Sequence, residues 1–204
     1  MQRRRQELVA DVFRGVEPGA LVVELGCGPG ALVAALAAAR PELGFLGLDI
    51  DEAMVEHAHR VHAAPNLSFE VADLQAEAPR VEAHVLFSVD LVHHVHDQDA
   101  FLHNVAALLA PRGAWVLAEP NIFHPYVFFL QERMRRRGLD EGHFRPWRFG
   151  PAVRRAGLVI ERRRTAFAVP GWVQSVPRSV ARAERAVERL PFVGGSVIYM
   201  VRAA

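Results

Sequence analysis

The segment Val22-Val23-Glu24-Leu25-Gly26-Cys27-Gly28-Pro29-Gly30 carries an apolar run into a carboxylate and then into glycine at every second position. Glycine tolerates positive φ and leaves the backbone bare, so the segment reads as a strand that ends in a loop a ligand can approach closely. GALVAALAAAR follows at 30–40 as a helix that Pro41 stops. A strand, a bare turn and a helix form the opening unit of a parallel α/β sheet, whose ligands sit at the carboxyl ends of the strands.

The same rhythm continues to residue 120. Strands are expected at 20–25, 44–49, 66–73, 84–88 and 114–119. Between them, DEAMVEHAHRVH at 51–62 reads as a helix capped by Asp51. Asp97 or Asp99 caps another, in which Phe101, Leu102, Val105, Leu108 and Leu109 share one face, and Pro111-Arg112-Gly113 turns the chain into the fifth strand. From 121 to 150 the chain carries prolines, aromatics and arginines without a clean strand, the mark of a lid or substrate-recognition insert. PAVRRAGL then reads as a short helix, LVIERRRTAFAV as a strand, RSVARAERAVERL as a helix and GSVIYMVRA as a last strand. The expected fold class is α/β, a doubly wound, mostly parallel sheet with helices on both faces, forming one domain over 1–204.

Length and composition bound the alternatives. A chain of 204 residues, 51% hydrophobic, holds one sizeable core. It has no apolar run of about 18 residues, and its amino terminus MQRRRQELVADVF lacks the apolar block of a secretory signal; a cytoplasmic location is expected. The single cysteine, Cys27, rules out an internal disulfide and paired-thiol redox chemistry. There is no lysine, and the charge is uneven: residues 1–120 carry eight arginines against seventeen acids, residues 121–204 sixteen against six. A solvated basic face accounts for this. A sharper reading joins Arg178, Arg182, Arg185 and Arg189 to VFFLQERMRRR at 127–137 as a surface for an anionic acceptor or an acidic membrane.

The glycine pattern by itself fits two ligand classes. Gly26, Gly28 and Ala31, with Asp49 some twenty residues on, satisfy a dinucleotide fingerprint. Glu24 weighs against it, because a carboxylate beside the loop repels a pyrophosphate and suits a ligand carrying an ammonium and a sulfonium. Asp73, at the end of the third strand, is placed to accept from an exocyclic amino group such as that of adenine. The fourth strand runs into SVDLVHHVHD and the fifth ends in AEPN, leaving polar groups where a second substrate would lie.

Taken in order, E-x-G-x-G-x-G at 24–30, GLDI with Asp49, VADL with Asp73, the histidines at 93 and 94 and the helix-PRGA-strand passage at 105–118 resemble the class I S-adenosylmethionine-dependent methyltransferases of the small-molecule type, over about residues 18–120. The resemblance implies seven strands with the last antiparallel, and S-adenosyl-L-methionine as cofactor with S-adenosyl-L-homocysteine as product. It implies that Glu24 and the loop of Gly26, Cys27, Gly28 and Gly30 face the methionine moiety, Asp49 the ribose hydroxyls, and Asp73 with Leu74 the adenine; Ile50 and Ser88 complete the cofactor set.

Methyl transfer from a sulfonium is an in-line displacement, which alignment and exclusion of water accelerate. A base is needed only where the acceptor must lose a proton, and His94, His93 and Glu119 are the candidates. Asp90, Asn121, His124, Tyr126, His143 and Trp147 are candidate contacts for a partly apolar small acceptor, a lipid, sugar or secondary metabolite, with O-methylation favoured. His93, His96 and Asp97 could form a two-His-one-carboxylate set, but Asp97 reads better as a helix cap and no metal is expected. Only about 20 residues precede the first strand, so the 121–150 insert or a second copy in a homodimer is expected to shield the site. A nucleic-acid substrate is disfavoured, since the fourth strand runs into Ser-Val-Asp-Leu and not the Asn/Asp-Pro-Pro-Tyr of amino-methylating DNA enzymes. An NAD(P)-dependent oxidoreductase and a non-catalytic cofactor-binding protein of the same fold are the alternatives.

Overall fold

The structure, a computed structural model, describes residues 16–139, 142–166, 190 and 193–204. Seven strands form one sheet: β1 (Leu21–Leu25), β2 (Gly44–Asp49), β3 (Leu67–Val71), β4 (Ala83–Val89), β5 (Leu109–Pro120), β6 (Leu158–Ala166) and β7 (Ser196–Ala203). Their order is β3-β2-β1-β4-β5-β7-β6. β1 to β5 are parallel, and β7 runs antiparallel to both β5 and β6. The order reverses between β1 and β4, which opens a crevice at their carboxyl ends where α/β sheets bind ligands.

The central strand shows why the sheet needs two covered faces. Val22 and Val23 are both fully buried, yet they belong to different layers. Val22 packs with Phe45, Phe87 and residues of α1 (Ala31–Ala39) and α2 (Glu52–Val61). Val23 faces Leu46, Leu86 and Trp115 beneath α3 (Gln98–Leu108). A strand buried on both sides reads as a continuous apolar run, as LVVEL does.

Two helices follow β5: α4 (Pro125–Arg136) and α5 (Pro146–Arg155). Each begins with proline in its first turn, where the missing N–H costs no helical hydrogen bond. Phe149 and Val153 of α5 extend the α3 layer. Trp115 lies between Phe101 and Phe149, with ring centroids 6.0 and 6.1 Å away in edge-on geometry. The expected insert is thus a helix and a loop leading into a second helix, which starts at Pro146, ahead of PAVRRAGL. Only α5 packs on the sheet layer, through Phe149, Ala152 and Val153, whereas α4 buries only Gln131.

Other expectations resolve in detail. Asp51 caps α2 through the N–H groups of Ala53 and Met54. Asp97 caps α3, accepting from Ala100 at 2.9 Å, while Asp99 pairs with Arg155 at 2.6 Å. Leu109 leaves the helix and begins β5, which absorbs the Pro-Arg-Gly passage with Arg112 at φ 67°. The helix expected at 178–190 lies outside the described residues except for Leu190, as do 167–169 of the sixth strand. Among the described residues no helix is long and apolar enough to cross a membrane.

Candidate functional site

The loop between β1 and α1 is built on left-handed backbone: Gly26, Gly28 and Gly30 have φ of 68°, 50° and 76°. Gly30 is also a close approach, since a Cβ there would lie 2.5 Å from the Phe69 ring and 2.9 Å from the Ala58 methyl. Gly28 has open space around the equivalent point, so its constraint is backbone conformation and the room it leaves for a ligand. Gly30 caps α1 without a side chain. Glu24, buried in β1, supplies the missing acceptor, taking the Val33 N–H at 3.1 Å and placing a negative charge against the positive end of the helix. Expected at the rim of the loop, this carboxylate lies beneath it.

Asp49 ends β2 and reaches the same loop, accepting from the Gly28 N–H at 2.6 Å and the Asp51 N–H at 3.0 Å. A carboxylate has about four acceptor positions, so capacity remains for ribose hydroxyls. Ile50 beside it is 61% exposed, an apolar side chain standing at the crevice. Asp73 is exposed and accepts from the Gln75 N–H at 2.9 Å, while Leu74 turns its side chain into the core and gives its carbonyl to Asn104. Cys27 is buried, and its thiol is pushed up to about 12, by burial first and then by the Glu24 and Asp49 carboxylates. A thiol so protonated packs and is no nucleophile at neutral pH.

Between β4 and β5 the centre is Glu119, wholly buried. It accepts from the Leu91 and Val92 N–H groups at 3.1 and 2.8 Å, from the His93 N–H at 3.3 Å, and pairs with His93 Nδ1 at 2.7 Å. The carboxylate caps the 3-10 turn Val92–His94 and orients the His93 ring. In the neutral tautomer that donates from Nδ1 to Glu119, Nε2 is the basic nitrogen of the ring. Glu119 is therefore a positioning residue and His93 the base candidate of the pair. His94 is exposed and stands against His93, centroids 4.0 Å apart. Asp90 holds φ 54°, and its N–H bonds Ala118. The Ser88 hydroxyl is buried and accepts from the Trp115 indole at 3.2 Å.

The expected acceptor contacts do not all point one way. Asn121 is buried and structural: its amide donates to the Gly194 carbonyl at 2.8 Å and accepts from the Phe123 N–H at 3.2 Å. His124 precedes α4, with a buried Nδ1 that has no hydrogen-bond partner among the described residues. Tyr126 is exposed on the first turn of α4. His143 stacks on Phe128 with centroids 5.3 Å apart and contacts Gln131 at 3.2 Å through Nδ1. Trp147 is exposed on the first turn of α5, 6.1 Å from Phe123. His93, His96 and Asp97 do not converge, because His93 turns to Glu119 and Asp97 to Ala100.

Two residues outside the expectations hold the site together. Gln75 accepts the N–H groups of His96 and Asp97, both at 2.9 Å, tying the loop after β3 to the loop after β4. Gly142 presses on the His93 carbonyl so closely that no Cβ fits there. Neither belongs to a local motif; only the fold brings them into place.

Residues 23–115 match the family described as a methyltransferase domain. The trans-aconitate 2-methyltransferase of Methylobacterium nodulans is 32% identical over 148 residues, covering 72% of this chain and 52% of the relative. That of Methylobacterium radiotolerans is 32% identical over 119 residues, covering 58% and 44%. The chain spans about half the length of the curated relatives it matches. A Haloferax volcanii methyltransferase solved in complex with the Trm112 methyltransferase activator superposes with a TM-score of 0.71 at 21% identity, covering 100% of this chain and 92% of that one.

Proposed function

As a member of the class I S-adenosylmethionine-dependent methyltransferase family, this chain, we propose, moves the sulfonium methyl group to a small-molecule acceptor, with oxygen the favoured receiving atom. The observation that carries the reading is the row of polar groups along the carboxyl ends of β1, β2 and β3. The bare 26–30 loop comes first, then Asp49 with acceptor capacity left after bonding that loop, then the exposed Asp73. They suit, in that order, an amino-acid end, a ribose and an adenine.

In the reaction an acceptor lone pair attacks the methyl carbon, the carbon–sulfur bond breaks with its electron pair going to sulfur, and a neutral thioether leaves. Positive charge disperses, so the Glu24 and Asp49 carboxylates favour the charged donor over its product. The chain's further task is alignment. Where the acceptor is a hydroxyl, His93 Nε2, fixed by Glu119 through Nδ1, takes the proton. An acceptor that is already anionic needs no base. Trans-aconitate, in the names of the relatives above, is by its chemistry such an acid.

The test is isothermal titration with S-adenosylmethionine and S-adenosylhomocysteine beside NAD and NADP, on the wild type and Asp49→Ala. Binding of the sulfonium pair alone, weakened about tenfold or more (about 1.4 kcal/mol) by the substitution, is expected. Preference for a dinucleotide would overturn the reading.

A further inference from the structure

A cleft of about 720 Å³ opens between the loop after β4 with the first turn of α3 on one side and α5 with its preceding loop on the other. The volume is that of a small-molecule site. His93 forms part of its inner wall, so the cleft reaches the Glu119–His93 pair. Its charges are unequally committed. Asp97 accepts the Ala100 N–H and Asp99 is paired with Arg155, which accounts for both carboxylates and one arginine of the lining. Arg145 and Arg148, one helical turn apart, have guanidinium groups with no hydrogen bond or ion pair among the described residues. Trp147 lies between them in sequence on the same wall, its side chain 56% exposed.

We infer that this cleft seats the carboxylates of a small di- or tricarboxylic acid, with Arg145 and Arg148 as its anion contacts. The inference rests on the methyltransferase reading for its role, the bound acid being the methyl acceptor. Two planar guanidinium groups match two carboxylates, each able to bond in the bidentate manner that a point charge lacks. The indole offers a flat apolar surface to a planar, unsaturated carbon skeleton. The step balances without further reagents: a carboxylate oxygen forms the bond to the methyl carbon, the carbon–sulfur bond breaks toward sulfur, and a methyl ester and neutral S-adenosylhomocysteine result. No proton moves, so an acid acceptor asks no base of His93.

The experiment titrates trans-aconitate, citrate, succinate and inorganic phosphate, at constant ionic strength, into the full chain saturated with S-adenosylhomocysteine. Wild type is compared with an Arg145→Gln/Arg148→Gln double variant and an Arg145→Lys/Arg148→Lys variant. The expected result is wild-type binding of at least one carboxylic acid, weakened tenfold or more by the glutamines and partly restored by the lysines, with affinity for S-adenosylhomocysteine unchanged in both. Absence of wild-type binding by all three acids overturns the inference, as does equal affinity in the glutamine variant or equal affinity for phosphate. Acid binding lost in the glutamine variant while S-adenosylhomocysteine binds to none of the proteins leaves the anion site standing and removes the methyltransferase reading.

Discussion

The two halves of the crevice are made of different material. At the ends of β1 and β2, recognition is built from main chain: three glycines in left-handed conformation, an N–H held by Asp49 and a helix end held by Glu24. At the ends of β4 and β5 it is built from side chains drawn from separate segments, with Glu119, His93, Gly142, Arg145 and Trp147 meeting only because the sheet and α5 bring them together. The first half is fixed by dihedral requirements that few residues meet, whereas the second depends on contacts between side chains of separate segments. In the proposed function the first half would hold the cofactor and the second the acceptor.

The comparison is broken most severely at Glu119. Glu119→Ala leaves three backbone N–H groups and the His93 ring without their acceptor in a buried place, and unsatisfied buried donors cost about 1–3 kcal/mol each. A loss of about 3 kcal/mol or more in urea unfolding is expected. Glu119→Gln, which keeps the shape and part of the acceptor capacity, should lose less stability while lowering turnover of a hydroxyl acceptor with S-adenosylhomocysteine affinity kept. Unfolding midpoints for Glu119→Ala within error of wild type would mean that the acceptor half is not held from this carboxylate.

Within the cofactor half the glycines separate two causes. Gly30→Ala meets the Phe69 ring and must also hold positive φ, so overpacking and backbone strain add to about 2–4 kcal/mol. Gly28→Ala meets nothing and carries only the conformational penalty of about 1–2 kcal/mol, but its methyl enters the space left for the ligand. Gly30→Ala should therefore unfold first, and Gly28→Ala should bind S-adenosylhomocysteine more weakly than its stability explains. Equal stability losses in the two would show that the Phe69 contact relaxes freely.

The same division decides what could be read in advance. The strand-and-helix rhythm to residue 120, the caps Asp51 and Asp97 and the placing of Asp49 and Asp73 at crevice ends were legible, because each depends on a few neighbouring residues with narrow conformational options; the antiparallel last strand came only from the family resemblance, since its direction is set by distant pairing partners. Helix α4 was hidden behind its single proline and bulky aromatics, and α5 began earlier than its pattern suggested. Glu24 and Asn121 were legible as important but not in direction: both turn toward backbone donors or acceptors that only the tertiary fold supplies. Gln75 left no local signal, since its two partners lie 21 and 22 residues away.

The finest expected effect concerns Cys27, where the cofactor half acts on a group it does not use. Its thiol is pushed up from 9.0 to about 12, by burial first and then by Glu24 and Asp49. In the unfolded chain the thiol ionises near its ordinary value, whereas in the folded chain it keeps its proton to about 12. Below pH 9 both states hold the proton and the thiol contributes its full share. As pH rises toward 12 the unfolded state loses protons first and is favoured, so stability declines through that window. Tyr199, also raised by burial, declines in the same direction and remains as background. The fall in Tm between pH 7.5 and 10 should then be smaller in Cys27→Ala than in wild type, and iodoacetamide at pH 8 should label the native thiol far more slowly than the urea-unfolded one. Equal alkaline shifts in both proteins would mean that Cys27 ionises without penalty beside two carboxylates, and would weaken the case that this loop carries the negative field a sulfonium donor needs.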